Sequence, residues 1–180
     1  MTSKNDYARL DRAFFHRPTL EVAPELLGKT LVFGPHRGLI TETEAYIGQD
    51  DPACHAARGK TKRNETMFGQ AGLSYVYFIY GMYYCFNIVT EDEHFGAAVL
   101  IRGVLEPEGR HLNGPGKLCR DWGMAMTENG RDLVTDPDFY LLDTPSFQDY
   151  KNGPRIGISK GTEKDWRFWV DVKKLPSAQG

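Results

Sequence analysis

The stretch that most constrains this 180-residue chain is Ser74 to Val89. Ser74 to Tyr80 and Tyr83 to Val89 are dense in Tyr, Phe, Ile and Val, residue types that fit a pleated, half-buried surface, and Gly81-Met82 stands between them. Glycine at a first central turn position accepts positive φ, so the pattern predicts a β-hairpin closed by a two-residue turn. Lys29 to Phe33 and Leu39 to Tyr46 read as a second hairpin across Gly34-Pro35-His36-Arg37-Gly38. Ala97 to Leu105, Phe139 to Leu142, Arg155 to Ser159 and Trp166 to Val172 supply further strands. Helices are few. One runs from Thr19, as N-cap, to Leu27, with Gly28 as its stop. Another starts at Gly114-Pro115 and places Leu118, Trp122 and Ala125 on one face. Ile47 to Gly72 has no period, and a loop of that length is more often functional than idle. The fold class is therefore α+β: a single mixed domain over residues 1–180, with a mainly antiparallel curved sheet and a protruding β-hairpin. Residues 1–13 and 176–180 are expected to be frayed.

Composition narrows the function classes. No apolar run approaches the roughly 18 residues of a membrane span, and the polar N-terminus has no secretory pattern. A soluble, intracellular, non-membrane protein is expected. Cys54, Cys85 and Cys119 are odd in number and widely spaced, which predicts free thiols and no structural metal. A formal charge of −2 excludes nucleic-acid binding by bulk positive charge, but phosphate neutralisation depends on local clusters. Arg58, Lys60, Lys62 and Arg63 face one acid, Glu65, and Lys151 to Lys174 holds seven basic against three acidic residues. Both clusters are equally consistent with solvated loop charge.

Three features carry candidate chemistry. Alternation along Leu39 to Tyr46 places Ile40, Glu42, Glu44 and Tyr46 on one face. An exposed edge strand explains two carboxylates there; so does an acid–base site, because a carboxylate beside an aromatic on a half-buried strand has its pKa raised. Arg102 interrupts an apolar strand and needs an anion or a solvated end, Glu44 being one partner. In the aromatic hairpin most rings read as packing, but Tyr80 lies at the tip, where its own hairpin cannot bury it, and such aromatics act as wedges between base steps. Asn87 is the one amide in its strand and needs a partner or a cavity.

Taken together, FF, LLGKTLV, ITETEAYIG, HAARGKTKRNETMF, YVYFIYGMYYCFNIV, AVLIR, LEPEG, GPGKLC and PRIGIS, running from about Phe14 to Val170, resemble the alkyladenine (methylpurine, or 3-methyladenine) DNA glycosylase family. The resemblance implies a monomeric enzyme with no metal or cofactor that acts on double-stranded DNA containing damaged purines, in the cytoplasm (the bacterial nucleoid) or the nucleus. It further implies that Glu44 is the general base that deprotonates the attacking water, with Arg102 and the carbonyl of Ile156 positioning that water. Tyr46, His55 and Tyr77 correspond to walls around the extruded base, Tyr80 to the residue that fills the vacated stack, and Asn87 to the group that excludes guanine. Arg58, Lys60, Lys62, Arg63, Met82 and Gly157 are expected on the DNA backbone. The chain departs from the family in having four steps, not three, from Arg102 to Glu106-Pro107, and a bulge at Gly103 is expected to absorb the extra residue.

No lysine sits in the matched pocket motifs to form a Schiff base, so water is the expected nucleophile and an intact abasic site the product. Two rivals remain: a non-catalytic damaged-DNA binding module, and an unrelated sugar hydrolase using Glu42 and Glu44 as its carboxylate pair.

Overall fold

The computed structural model describes residues 7–175, so residues 1–6 of the first tail expected to fray and all of 176–180 lie outside them; within 7–13, Leu10 is 4% exposed and Arg12 donates to Asp132 at 2.7 Å. The chain forms α1 (Arg12–Phe15), α2 (Thr19–Glu25), β1 (Thr30–Phe33), β2 (His36–Ile47), β3 (Ser74–Ile79), β4 (Tyr83–Thr90) and β5 (Ala97–Leu105). There follow β6 (His111–Asn113), α3 (Pro115–Trp122), β7 (Phe139–Leu142), β8 (Lys151–Gly153) and β9 (Arg167–Trp169). All described strand pairs are antiparallel, in one sheet of nine strands: six run in the order β3-β4-β5-β2-β1-β7, β6 pairs with β5, and β9 joins β2 to β8. Strand β2 branches: its start pairs with β1 and its later part with β9, while β5 runs along its other edge. Among the described residues no helix is long and apolar enough to cross a membrane.

The sheet separates two packed layers. Strand alternation sends Val76, Phe86, Ile88, Val99 and Ile101 toward Leu26, Leu27, Leu118 and Trp122 of the helical side. It sends Tyr75, Tyr77, Cys85, Ala98 and Leu100 toward Cys54, Met67 and Phe68 of the 47–72 segment, which is built from turns and two short 3-10 helices. That long segment is therefore the cover of a second, aromatic layer, and the functional candidates lie at its edge.

Several expectations need correction. The first hairpin turn is Gly34-Pro35 alone, since Phe33 already pairs with His36. Thr19 is the first residue of α2 rather than its cap; Pro18 holds that position, and the Thr19 hydroxyl bonds Glu91 at 2.6 Å. Helix α3 stops at Gly123 in the left-handed conformation (φ 73), so Ala125 lies beyond it. Arg155 to Ser159 is a loop, because Arg155 is drawn inward and Gly157 has φ 75. The β3–β4 hairpin closes through three residues rather than two, since Ile79 pairs with Tyr83; Tyr80 (φ 55) and Gly81 (φ 63) are the central pair of its turn, and Met82 N–H donates to Ile79 O at 3.1 Å. Two successive positive φ values match a type I′ turn, whose twist suits the flanking strands.

The expected irregularity at Gly103 is present and explains another correction. Ile40 pairs with Val104 and Glu42 with Gly103, but Thr43 pairs with Ile101, so Thr41 and Arg102 are both skipped. Alternation restarts there. Ile40 joins the helical-side core with Ala45, and does not share a face with Glu44. Gly103 is required by close approach, since a methyl group on it would lie 2.6 Å from Thr41 Oγ1 and 3.3 Å from Glu42 Cβ.

Candidate active site

Cross-strand register builds the site before any side chain is considered. Tyr75 pairs with Asn87, Asn87 with Leu100, Leu100 with Glu44 and Glu44 with Arg167, giving one transverse row over five strands. Because side chains two apart share a face, Tyr77, Tyr46, Glu42 and Arg102 flank that row. Tyr46, Tyr77 and Arg102 border an open cavity of about 620 Å³, whose lining does not include Glu42 but does include His55, Tyr80, Asn87, Ile156 and Gly157 and, against the expectation of pocket motifs free of lysine, Lys117 and Lys160.

Glu44 is fully buried and does not itself line this cavity, but its contacts Tyr46, Arg102 and Ile156 do. Its Oε1 accepts from the backbone N–H of Ile156 at 2.6 Å, and its Oε2 accepts from the Tyr46 hydroxyl at 2.8 Å. Arg102 Nε stands 3.5 Å from Glu44 Oε1 and 3.2 Å from Glu42 Oε1, which also takes Arg167 at 3.2 Å. Burial pushes the Glu44 carboxyl above the usual glutamate range; Arg102, the Ile156 N–H and Tyr46 oppose that shift, and Glu42 adds to it. Burial and the neighbouring Glu44 charge keep Tyr46 protonated, so its hydroxyl is the donor.

The remaining candidates surround this carboxylate. Tyr46 is covered on one side by the Arg155 guanidinium, 4.7 Å from the ring centroid. His55 sits at the rim, its Nδ1 2.9 Å from the Tyr75 hydroxyl and its ring 4.3 Å from that of Tyr77 at 71°. Desolvation, with Arg63 adding to it, lowers the His55 pKa, so the imidazole is neutral at neutral pH. Asn87 is 3% exposed and its amide donates to Tyr75 O at 3.1 Å, the partner its sequence position demanded. Tyr80 is 72% exposed and Met82 68% exposed at the hairpin tip. Arg58, Lys60, Lys62 and Arg63 are exposed along the 47–72 segment, and Arg63 donates to Phe78 O at 2.8 Å, which ties this basic loop to the hairpin. Gly157 lies beside the tip, such that a methyl group on it would be 3.9 Å from the Tyr80 hydroxyl. Cys54, Cys85 and Cys119 are free and buried.

Sequence reasoning missed Arg155 and Asp51. Their side chains are fully buried and joined by two bonds of 2.6 and 2.8 Å, and Arg155 also donates to Ala45 O at 2.9 Å. Arg155 is packed between Tyr46 and Trp166, with its guanidinium carbon 5.1 Å from the latter ring. The pair fixes the loop that carries Ile156 against Glu44. Nothing in the local sequence around Asp51 marks a partner 104 residues away.

A buried carboxylate with a raised pKa beside an aromatic-walled cavity, next to a hairpin with an exposed aromatic tip and a basic loop, suits an enzyme that operates on nucleic acid. Residues 13–174 match the family model described as Methylpurine-DNA glycosylase (MPG). A protein of Rickettsia felis named "Putative 3-methyladenine DNA glycosylase" is 54% identical over 176 residues, covering 96% of this chain and 99% of its own. One of the same name from Wolbachia pipientis subsp. Culex pipiens is 59% identical over 161 residues, 88% of each chain. The chain belongs to the methylpurine-DNA glycosylase family, whose members are hydrolases of N-glycosyl bonds.

Proposed function

We propose that this enzyme extrudes an alkylated or deaminated purine from duplex DNA inside the cell, acting as a monomer, and hydrolyses its N-glycosyl bond with water deprotonated by Glu44. The observation that carries this reading is the Glu44 carboxylate, buried at the cavity and held by Ile156 N–H and the Tyr46 hydroxyl. A base with a raised pKa is suited to take a proton from water near neutral pH. Arg102 and the Ile156 carbonyl orient the water. Base extrusion costs a few kcal/mol, least for damaged or mispaired bases, so selectivity begins before the pocket is entered. Tyr46, His55 and Tyr77 then enclose the base, and electron-rich rings favour a cationic alkylated purine. The product is an intact abasic site.

The rival carboxylate-pair hydrolase needs Glu42 as a free acid or nucleophile, and Glu42 is occupied by two arginines. The non-catalytic module has no use for a buried, elevated Glu44. The deciding assay incubates the purified protein with duplexes carrying single defined lesions and treats them with alkali to reveal abasic sites. Release of 3-methyladenine, 7-methylguanine or hypoxanthine is expected, and release of none of them would leave the binding module as the better account.

Two variants separate the steps. Tyr80→Ser removes a ring whose stacking is worth about 1 to 3 kcal/mol, so single-turnover excision of hypoxanthine should slow most opposite cytosine, where pairing is firm, and least in a bulge. Equal slowing in all contexts with an unchanged melting temperature would remove the wedge role. Asn87→Ser opens room for a 2-amino group and should raise release of undamaged guanine by roughly tenfold or more. Guanine release at the wild-type rate would take Asn87 out of the selectivity account.

A further inference from the structure

Glu42 stands in the site without a role in the reading above. Its Oε1 takes Arg102 Nε and an Arg167 guanidinium nitrogen, both at 3.2 Å, while the same Arg102 Nε lies 3.5 Å from Glu44 Oε1. One guanidinium nitrogen thus bridges two carboxylates, and the nearer contact belongs to Glu42. The paired irregularity at Thr41 and Arg102 sets Glu42 opposite Gly103, where no side chain separates the two strands. Arg102 and Glu42 are each 14% exposed and Arg167 21%, so water screens this cluster poorly.

We propose that Glu42 is a positioning residue that holds Arg102 between two carboxylates, leaving Glu44 a stronger base than it would be as sole owner of the guanidinium. This inference rests on the assignment of Glu44 as general base. The groups that face Glu44 are Glu42 and Tyr46 on its own strand, Arg102 on β5, Cys85 on β4, and Arg155 from the loop; Arg167 on β9 is its register partner. His111 on β6 feels the charge of Glu42 and hydrogen-bonds Thr41 Oγ1 at 3.0 Å. Among these, the division of Arg102 is what Glu42 controls. Were Arg102 to turn wholly to Glu44, the carboxylate would be stabilised, its affinity for a proton would drop, and so would its power to take one from water.

The test is the pH dependence of single-turnover hypoxanthine excision by the full chain, compared between wild type, Glu42→Gln and Arg167→Met. The lesion titrates identically in all three, so a displaced acid limb reports the enzyme. Glu42→Gln removes a like charge and releases Arg102 to Glu44; its acid limb should move down by roughly one pH unit, with a lower plateau. Arg167→Met leaves Glu42 to draw harder on Arg102 and takes a cation from the vicinity of Glu44; its limb should move up. A limb that is unmoved or displaced upward in Glu42→Gln, with an unchanged melting curve, overturns the proposal. If Glu42→Gln does not fold, Arg167→Met carries the test, and an unmoved limb there overturns it equally. Activity in Glu44→Gln would instead sink the general-base assignment, which is a separate outcome.

Discussion

Glu44→Gln is expected to lose between about 10²- and 10⁴-fold in single-turnover excision while still binding lesion-containing duplex. The geometry explains why folding should survive. A glutamine oxygen can keep the Ile156 N–H, and its amide nitrogen can face the Tyr46 oxygen once that hydroxyl turns to accept. What is removed is the negative oxygen that takes the proton. Because the deficit lies in the water and not in extrusion, it should be the same for paired, mispaired and bulged lesions, in contrast to Tyr80→Ser. In the wild type the acid limb should lie above the ordinary glutamate range, since burial raises the folded pKa and the base works only when ionised. Excision by Glu44→Gln near the wild-type rate would sink the mechanism.

The largest effect on stability is expected for Asp51→Ala. Both of its oxygens bind Arg155, and they also accept from the N–H groups of Ile47 at 3.1 Å and Ala53 at 3.2 Å. Removing one partner of a buried pair leaves an uncompensated charge and costs about 3–5 kcal/mol. For a chain of this size, that is a fall of about 10 °C in melting temperature. The double variant Asp51→Ala, Arg155→Met should melt higher than Asp51→Ala alone, because no charge is stranded. Excision should also fall in the single variant, since the loop that presents Ile156 to Glu44 loses its anchor. A melting temperature within two or three degrees of wild type would show that water or rearrangement replaces the pair.

The parts of this fold that were readable are those governed by local rules. β5 and β7 lie where the apolar runs placed them, and both hairpins follow from dense strand formers interrupted by glycine. Parity does not survive: a pattern of period two carries no mark of where a register skips, so Ile40, on the far side of Thr41, falls on the opposite face from the one alternation predicts. β6 and β8, three residues each, hold too few side chains to show a period, and their places are fixed by pairing with β5 and β9. Arg155 to Ser159 had the composition of a strand, but the attraction of Asp51 for Arg155 outweighs that preference. The candidate site divides the same way. Glu44, Arg102 and Asn87 were visible as polar residues in apolar strands, whereas the roles of Arg155, Asp51 and Arg167 depend on contacts far apart in sequence.

Tyr80 holds a backbone conformation that L-residues other than Asn and Asp seldom adopt, with φ 55 and an exposed ring. The cost of that conformation is met when the hairpin forms, in the absence of DNA. For a wedge this amounts to preorganisation: the ring projects from a closed turn, and little conformational entropy remains to be lost when it enters a base stack. A residue with ordinary φ preferences at a floppy tip would have to be ordered in each encounter. In the proposed wedge role, the strained turn would shift part of the work of damage searching from the binding event to the folding of the protein.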